Sequence, residues 1–136
     1  MWTVPAHWKS KPASAMRRAS FAVPMRDEPE ADLSVSVLGG AAGGLPANIN
    51  RWRAQLGLPE LAPDEVTGST ESISADGLAF TFVDIAGQSG DTAVRMLAGI
   101  ANYEGQTWFF KLTGPDQGVA AEKPAFVAFL RSVKTR

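Results

Sequence analysis

The chain has 136 residues, of which 45% are apolar and 20% are charged, and its formal net charge is −1. This length fits one domain, with a core large enough to need neither disulfides nor metal ions. The small net charge argues against nonspecific nucleic-acid binding, which requires a strongly positive surface. The absence of cysteine excludes disulfides, thiolate nucleophiles and cysteine-based zinc sites. No apolar run approaches the ~20 residues that span a bilayer, so we expect no transmembrane segment.

The N-terminal segment, residues 2–12, is predicted to be extended, because Pro5 and Pro12 oppose a helix. It lacks the long apolar core of a signal peptide. A first strand is predicted over residues 16–23, where apolar and polar side chains alternate, and it is expected to end at Pro24.

A second strand is indicated by strict alternation of apolar and polar residues over positions 33–38. Leu33, Val35 and Val37 are expected to face the core, and the intervening serines the solvent. The charged stretch before it, residues 26–31, is predicted to form a hairpin loop.

A glycine-rich joint, residues 39–44, separates this strand from the first predicted helix, residues 45–56. We expect the joint to be flexible and non-helical. The residues that recur on one face of the helix are Leu45, Ile49, Trp52 and Leu56. Pro46 suits the first helical turn, and Gly57 suits the C-terminal end. This pattern predicts that Trp52 is a core residue.

The C-terminal half is predicted to form two hairpins. Their strands lie at residues 69–75, 78–85, 93–103 and 106–113. Asp76-Gly77 and Glu104-Gly105 are the two-residue turns that connect each pair.

The remaining segments, residues 58–68 and 87–91, contain proline or glycine and are predicted to be loops. A final helix is predicted over residues 124–133, with an apolar stripe and Pro124 in its first turn. Hairpin connections imply antiparallel pairing. The order of elements therefore predicts an α+β domain in which two main helices cover an antiparallel sheet of about six strands.

Three blocks of the sequence resemble PsbP-like proteins. Residues 2–8, WTVPAHW, resemble the start of the mature proteins, and residues 107–115, TWFFKLTGP, with the helix that follows, resemble their closing elements. The block 43–58, GGLPANINRWRAQLGL, is similar to one found in a group of uncharacterised bacterial secreted proteins and lipoproteins. The resemblance covers nearly the whole chain, and the block 43–58 is its most specific part.

The resemblance implies a single PsbP-like (Mog-type) α/β/α sandwich over residues 1–136, and a location in the cell envelope after export. It implies no particular chemistry, since fold does not determine function. If an export signal preceded Met1, the expected location is the cell envelope or periplasm, and otherwise it is the cytoplasm.

Polar residues around the first predicted helix form the best candidate binding group. They are Gly43, Gly44, Asn48, Asn50, Arg51, Arg53 and Gln55. Free backbone N–H groups at a helix start and the planar fork of arginine both suit carboxylate or phosphate. The alternative is structural: these residues would cap loops and pin the helix to the glycine-rich joint.

No catalytic constellation is evident in the sequence. His7 is the single histidine, which excludes a two-histidine metal site. Residues 87–91 lack the spacing of a nucleophile elbow and are predicted to form a turn. The acidic stretch formed by Asp27, Glu28, Glu30 and Asp32 lacks the spacing of a calcium loop and is predicted to be solvated.

These observations predict a non-catalytic binding or assembly module of the cell envelope. It would have a protein partner, no cofactor and no nucleic-acid ligand. The alternative is a receptor or enzyme for a small anionic ligand, bound near the glycine-rich joint and the first helix.

Overall fold

The computed structural model describes residues 2–12, 17–25, 28–39, 44–75 and 77–134. The elements in chain order are β1 Lys9–Lys11, β2 Ala19–Met25, β3 Glu28–Gly39, α1 Leu45–Gln55, α2 Pro63–Gly68, β4 Thr70–Ala75, β5 Leu78–Ser89, β6 Thr92–Tyr103, β7 Gln106–Pro115 and α3 Asp116–Ser132. This is the predicted α+β class, with seven strands in the described part of the chain instead of about six. The added strand is β1, which lies within the predicted extended segment and pairs with β2.

The strands form one antiparallel sheet in the order β1-β2-β3-β7-β6-β5-β4. Ala75 pairs with Leu78, and Tyr103 pairs with Gln106, so both predicted two-residue hairpins are confirmed. Asp76 lies outside the described residues, whereas Glu104 and its neighbouring glycine both have positive φ. Positive φ at both central positions is the geometry of the turns that match the twist of a hairpin.

Each face of the sheet carries its own core, because successive side chains of a strand point to opposite sides. One core joins α3 to the sheet through Leu33, Phe82, Phe110, Phe126 and Phe129. The other joins α1 and α2 to the sheet through Ile49, Trp52, Val66, Met96 and Phe109. The helices therefore cover opposite faces, and the layers are stacked α/β/α.

Strands β2 and β3 extend beyond their predicted bounds where they approach each other along the chain. Pro24 does not terminate β2: it lies inside the strand, where the register with β3 shifts between Val23 and Met25. A register irregularity tolerates proline, which cannot donate to the ladder. Strand β3 begins at Glu28, inside the predicted loop over residues 26–31.

The final helix begins at Asp116, well before the predicted start at Pro124, which lies in the helix interior. Val119, in the added turns, is fully buried against the sheet. Asp116 is an acidic residue in the first turn, where a negative charge stabilises a helix. The packing of Val119 and the acidic first turn therefore outweigh the preference of Pro124 for a helix start.

The predicted loop over residues 58–68 contains α2. Pro63 occupies its first turn, and the Ala62 N–H donates to Glu65 Oε1 at 2.9 Å. Val66 anchors this short helix by complete burial. The other predicted loop, residues 87–91, is mostly strand, with only its last two residues in the turn between β5 and β6.

Candidate functional site

A cavity of about 310 Å³ opens beside the C-terminal end of α1, on the sheet face that α1 and α2 cover in part. Its lining residues are Arg17, Asp32, Ser34, Gln55, Leu56, Ser89, Val94, Met96, Lys111 and Thr113. We call it the Lys111 cavity. Its size is at the lower end of the range for small-molecule sites.

Strand pairing builds the floor of this cavity. Ser34 lies directly opposite Lys111 in the β3–β7 pair, and Asp32 lies opposite Thr113. Lys111 and Thr113 are two residues apart on one strand, so both point to the same face. The alternation of β3 predicts a solvent-facing Ser34, but its exposed fraction is only 5%, because it points to the sheet face that carries the second core and the cavity.

Lys111 is the central cation of the cavity. Its side chain is half-buried, and its Nζ atom lies 5.5 Å from the centroid of the Trp52 ring. Across the described residues, no carboxylate is close enough to pair with it. Burial lowers the pKa of Lys111, and the positive charges of Arg51 and Arg17 lower it further.

The carboxylate in the cavity is already engaged. Asp32 accepts hydrogen bonds from Arg17 at 3.0 and 2.8 Å and from Lys11 Nζ at 3.1 Å. Burial alone would raise the pKa of Asp32, but the hydrogen bonds and charges of Arg17 and Lys11 hold it below its usual value. Asp32 therefore stays ionised and fixes the position of the Arg17 guanidinium.

The two asparagines among the predicted site residues bond to the backbone of the chain itself. Asn48 Nδ2 donates to the Gly44 carbonyl at 2.8 Å, at the start of α1. Asn50 donates to the Leu61 carbonyl at 3.1 Å and accepts from the Leu61 N–H at 2.8 Å. Contacts of this kind fit the alternative in which these residues cap loops and hold the helix in place. Gly43 lies outside the described residues, and Gly44 adopts φ 82° before the helix.

The other three predicted site residues separate into two groups. Arg53 Nε donates to the Pro59 carbonyl at 2.8 Å and thereby holds the loop after α1. Arg51 and Gln55 are exposed. Gln55 lines the cavity, and Arg51 is close enough for its charge to act on Lys111. Their role in binding stays a prediction.

Sequence patterns alone do not identify the cavity. Lys111, Ser34 and Thr113 come together because β3 pairs with β7, and Arg17 joins them by its bond to Asp32. The one local signal is Lys111 itself, a cation within a strongly apolar strand. A half-buried lysine in such a strand is unusual enough to mark a site.

The single histidine belongs to a different part of the molecule. His7 Nε2 lies 2.8 and 2.9 Å from the two carboxylate oxygens of Glu122, and Trp8 Nε1 donates to the same carboxylate at 2.9 Å. These bonds attach the N-terminal segment to α3. Within the residues that the structure describes, no three histidine or acidic side chains gather into a group able to hold a metal ion.

The sequence of the chain matches no family model and no curated protein, but its fold matches solved structures. A Pseudomonas aeruginosa protein of unknown function matches with a TM-score of 0.59 at 13% identity, over 96% of this chain and 99% of its own. LpqN of Mycobacterium tuberculosis, involved in cell envelope biogenesis, matches with a TM-score of 0.56 at 15% identity, over 95% and 78%.

Cyanobacterial PsbP (CyanoP) from Synechocystis matches with a TM-score of 0.58 at 18% identity, over 96% of this chain and 83% of its own. The chain has a PsbP-like fold. At this identity the likeness concerns architecture alone. A Bacteroides thetaiotaomicron protein also matches, with a TM-score of 0.58 at 13% identity over 99% of this chain, which spans only 44% of that protein.

None of the helices described in this PsbP-like domain has the length and apolar character needed to cross a membrane. The Lys111 cavity lies on the sheet face against which α1 and α2 pack, and the charged and hydroxyl groups that line it are those of Arg17, Asp32, Ser34, Ser89, Lys111 and Thr113.

Proposed function

We propose that this PsbP-like domain is a non-catalytic binding module of the cell envelope, with its binding surface at the Lys111 cavity and the neighbouring edge of α1. The observation that carries the proposal is the half-buried ammonium group of Lys111, which has no carboxylate partner among the described residues. A buried charge without a partner destabilises a fold, and such groups concentrate at functional sites.

The chemistry of the cavity supports binding more than catalysis. A general base needs a pKa near the working pH. The pKa of Asp32 is lowered, and two cations occupy its oxygens. The hydroxyls of Ser34 and Thr113 have no hydrogen-bonded base within the described ranges, so neither is activated as a nucleophile.

The likeness to LpqN, a protein involved in cell envelope biogenesis, supports a location in the cell envelope or periplasm. Fractionation of native cells, followed by immunodetection of the protein, tests this location. Recovery of the protein in the cytoplasmic fraction alone would contradict it.

A protein partner with an acidic surface fits the exposed Arg51, because complementary charge guides association. The test is affinity capture from native cells with the wild type and with Arg51→Ala. A variant that also replaces Arg53 is less informative, since Arg53 holds the loop after α1. Arg131→Ala, on the exposed side of α3, is the matched control.

We expect Arg51→Ala to lose a specific partner that both the wild type and Arg131→Ala retain. An unchanged set of partners would contradict docking at α1. Turnover of a substrate that disappears on a single polar substitution in the cavity would contradict the non-catalytic role. The alternative function is a receptor or enzyme for a small anionic ligand, and the cations of the cavity support the receptor form of this alternative.

A further inference from the structure

We propose that the Lys111 cavity is an oxyanion site, which takes one carboxylate or phosphate group between Lys111 Nζ and the hydroxyls of Ser34 and Thr113. This inference rests on the proposed binding function and specifies the chemical group that the cavity accepts.

The charges around the cavity favour an anion. Lys11, Arg17, Arg51 and Lys111 are positive, and Asp32 is the acidic residue whose charge acts on Lys111. Two of the four cations are already bonded to Asp32. The remaining two, Arg51 and Lys111, have no carboxylate contact within the described part of the chain. An anion would neutralise the excess charge that these two leave.

Several hydrogen-bond donors line this one cavity. An ammonium group has three donors, and those of Lys111 have no acceptor among the described residues. Ser34 lies directly across from Lys111, and Thr113 is its neighbour on the same strand face. The hydroxyls of Ser34 and Thr113 also have no hydrogen bond within the described residues. The same is true of the Gln55 side-chain amide at the rim of the cavity. A carboxylate or phosphate supplies several acceptors at once.

The contact with Trp52 orients the Lys111 ammonium group but leaves its N–H donors without an acceptor among the described residues. The aromatic ring lies on one side of the ammonium group, at 5.5 Å. An aromatic face attracts a cation but accepts no conventional hydrogen bond from it. The Trp52 ring, itself only 1% exposed, is a rigid support that holds the cation at the cavity wall.

The test measures thermal unfolding of the purified chain at pH 7 with sodium phosphate, sodium acetate or sodium chloride at matched ionic strength. A ligand that binds the folded state raises the unfolding temperature as its concentration increases. We expect phosphate, acetate or both to raise it above the chloride value. Phosphate alone would identify a phosphate-bearing ligand, and acetate alone a carboxylate-bearing ligand.

Three variants make the assignment specific. Lys111→Met should abolish the shift, and Ser34→Ala should weaken the apparent affinity several-fold while leaving the charge in place. Arg131→Met, which removes one positive charge on the opposite side of the sheet, should behave as the wild type does. Circular dichroism confirms that each variant is folded before titration.

The inference is overturned if neither anion exceeds chloride, or if Lys111→Met responds as strongly as the wild type. That result is distinguishable from failure of the proposed function. If the anions do not bind while Arg51→Ala still loses its partner, the proposed binding function is supported and the oxyanion site is contradicted. If Arg51→Ala also loses nothing, both fail.

Discussion

At the scale of single residues, two charged side chains on the same sheet face differ in their surroundings. Asp32 is bonded to Arg17 and Lys11, and the result is a lowered pKa. Lys111 is half-buried with only an aromatic ring beside it, and its pKa is lowered too. A lowered pKa favours the charged form of an acid, whereas it disfavours the charged form of a lysine. Asp32 therefore supports the fold near neutral pH, and Lys111 opposes it.

Lys111→Met tests this opposition. We expect the free energy of unfolding at pH 7 to rise by up to about 1 kcal/mol, because a partly desolvated charge is replaced by an unbranched apolar side chain. The folded pKa of Lys111 lies below its unfolded value of 10.5, so the unfolded state binds more protons between the two. As pH rises towards 10.5, the free energy of unfolding of the wild type should therefore increase relative to that of the variant.

Urea unfolding of both proteins between neutral pH and pH 10.5 measures this difference. A variant that is clearly less stable at pH 7 would show that the Lys111 ammonium group stabilises the fold. Lys111 would then not oppose folding.

Asp32→Asn should have the opposite dependence on pH. Because the folded pKa of Asp32 is lowered, its contribution is present above the unfolded value of 3.8 and is lost as pH falls through the folded pKa. The variant should be less stable than the wild type at pH 7, and the difference should vanish under acid. Asp32 is partly exposed, so solvent screens the effect. Acid titration of the unfolding transition of both proteins provides the measurement, and a difference that persists below the folded pKa would contradict it.

Trp52 is the core residue that the helical period predicts, with 1% of its surface exposed. Trp52→Ala should lower the free energy of unfolding by about 3–5 kcal/mol. Trp52→Phe is the matched comparison, because it keeps a ring and removes an indole N–H that has no hydrogen-bond partner in the described structure. We expect it to cost much less. Chemical denaturation measures both, and a loss well under 1 kcal/mol for Trp52→Ala would contradict the core assignment.

At the scale of elements, the end of α1 is seated directly on strand β5. The Gln88 N–H donates to the Leu56 carbonyl at 2.9 Å. A methyl group at Gly87 would lie 2.4 Å from the Leu56 oxygen, so this position requires glycine for close approach of two backbones. The contact places Gln55 at the rim of the Lys111 cavity.

Gly87→Ala should therefore destabilise the domain by about 2–3 kcal/mol, because α1 must move away from the sheet. Gly68→Ala is the control: a methyl group there meets nothing within 4 Å. We expect the control to change the free energy of unfolding by less than about 0.5 kcal/mol. Thermal and urea unfolding measure both, and equal stabilities would show that α1 is not held by this contact.

At the scale of the whole molecule, hydrogen bonds attach the N-terminal segment to helix α3. Trp8 is buried, and its indole N–H donates one hydrogen bond to Glu122 of α3, which also lies within hydrogen-bond distance of His7. The Thr3 N–H donates to Ser132 Oγ at 2.8 Å, near the end of α3. Because β1 follows this segment and pairs with β2, the whole N-terminal stretch covers one edge of the domain.

Glu122→Ala should release this segment, because the buried Trp8 indole loses its acceptor. We expect cleavage within residues 2–11 to become several-fold faster in limited proteolysis followed by mass spectrometry. Glu71→Ala, on the exposed surface of β4, is the matched control and should digest as the wild type does. Equal cleavage in both variants would contradict the anchoring role of Glu122.

The sequence by itself determined the features that depend on neighbouring residues. Asp76-Gly77 and Glu104-Gly105 predict two-residue turns because few residues accept positive φ. Ile49, Trp52 and Leu56 predict the buried face of α1 because a helix repeats every 3.6 residues, and all three are buried. The PsbP-like resemblance likewise predicts the observed α/β/α layering.

Only the tertiary structure decided the features that depend on distant residues. Lys9–Lys11 form a strand because they pair with the edge of β2. The helix α3 begins at Asp116 because Val119 is buried in the core. The Lys111 cavity exists because β3 pairs with β7 and brings Ser34 opposite Lys111. No local pattern specifies such a pairing, since its free energy comes from burial of the whole sheet and not from either strand alone.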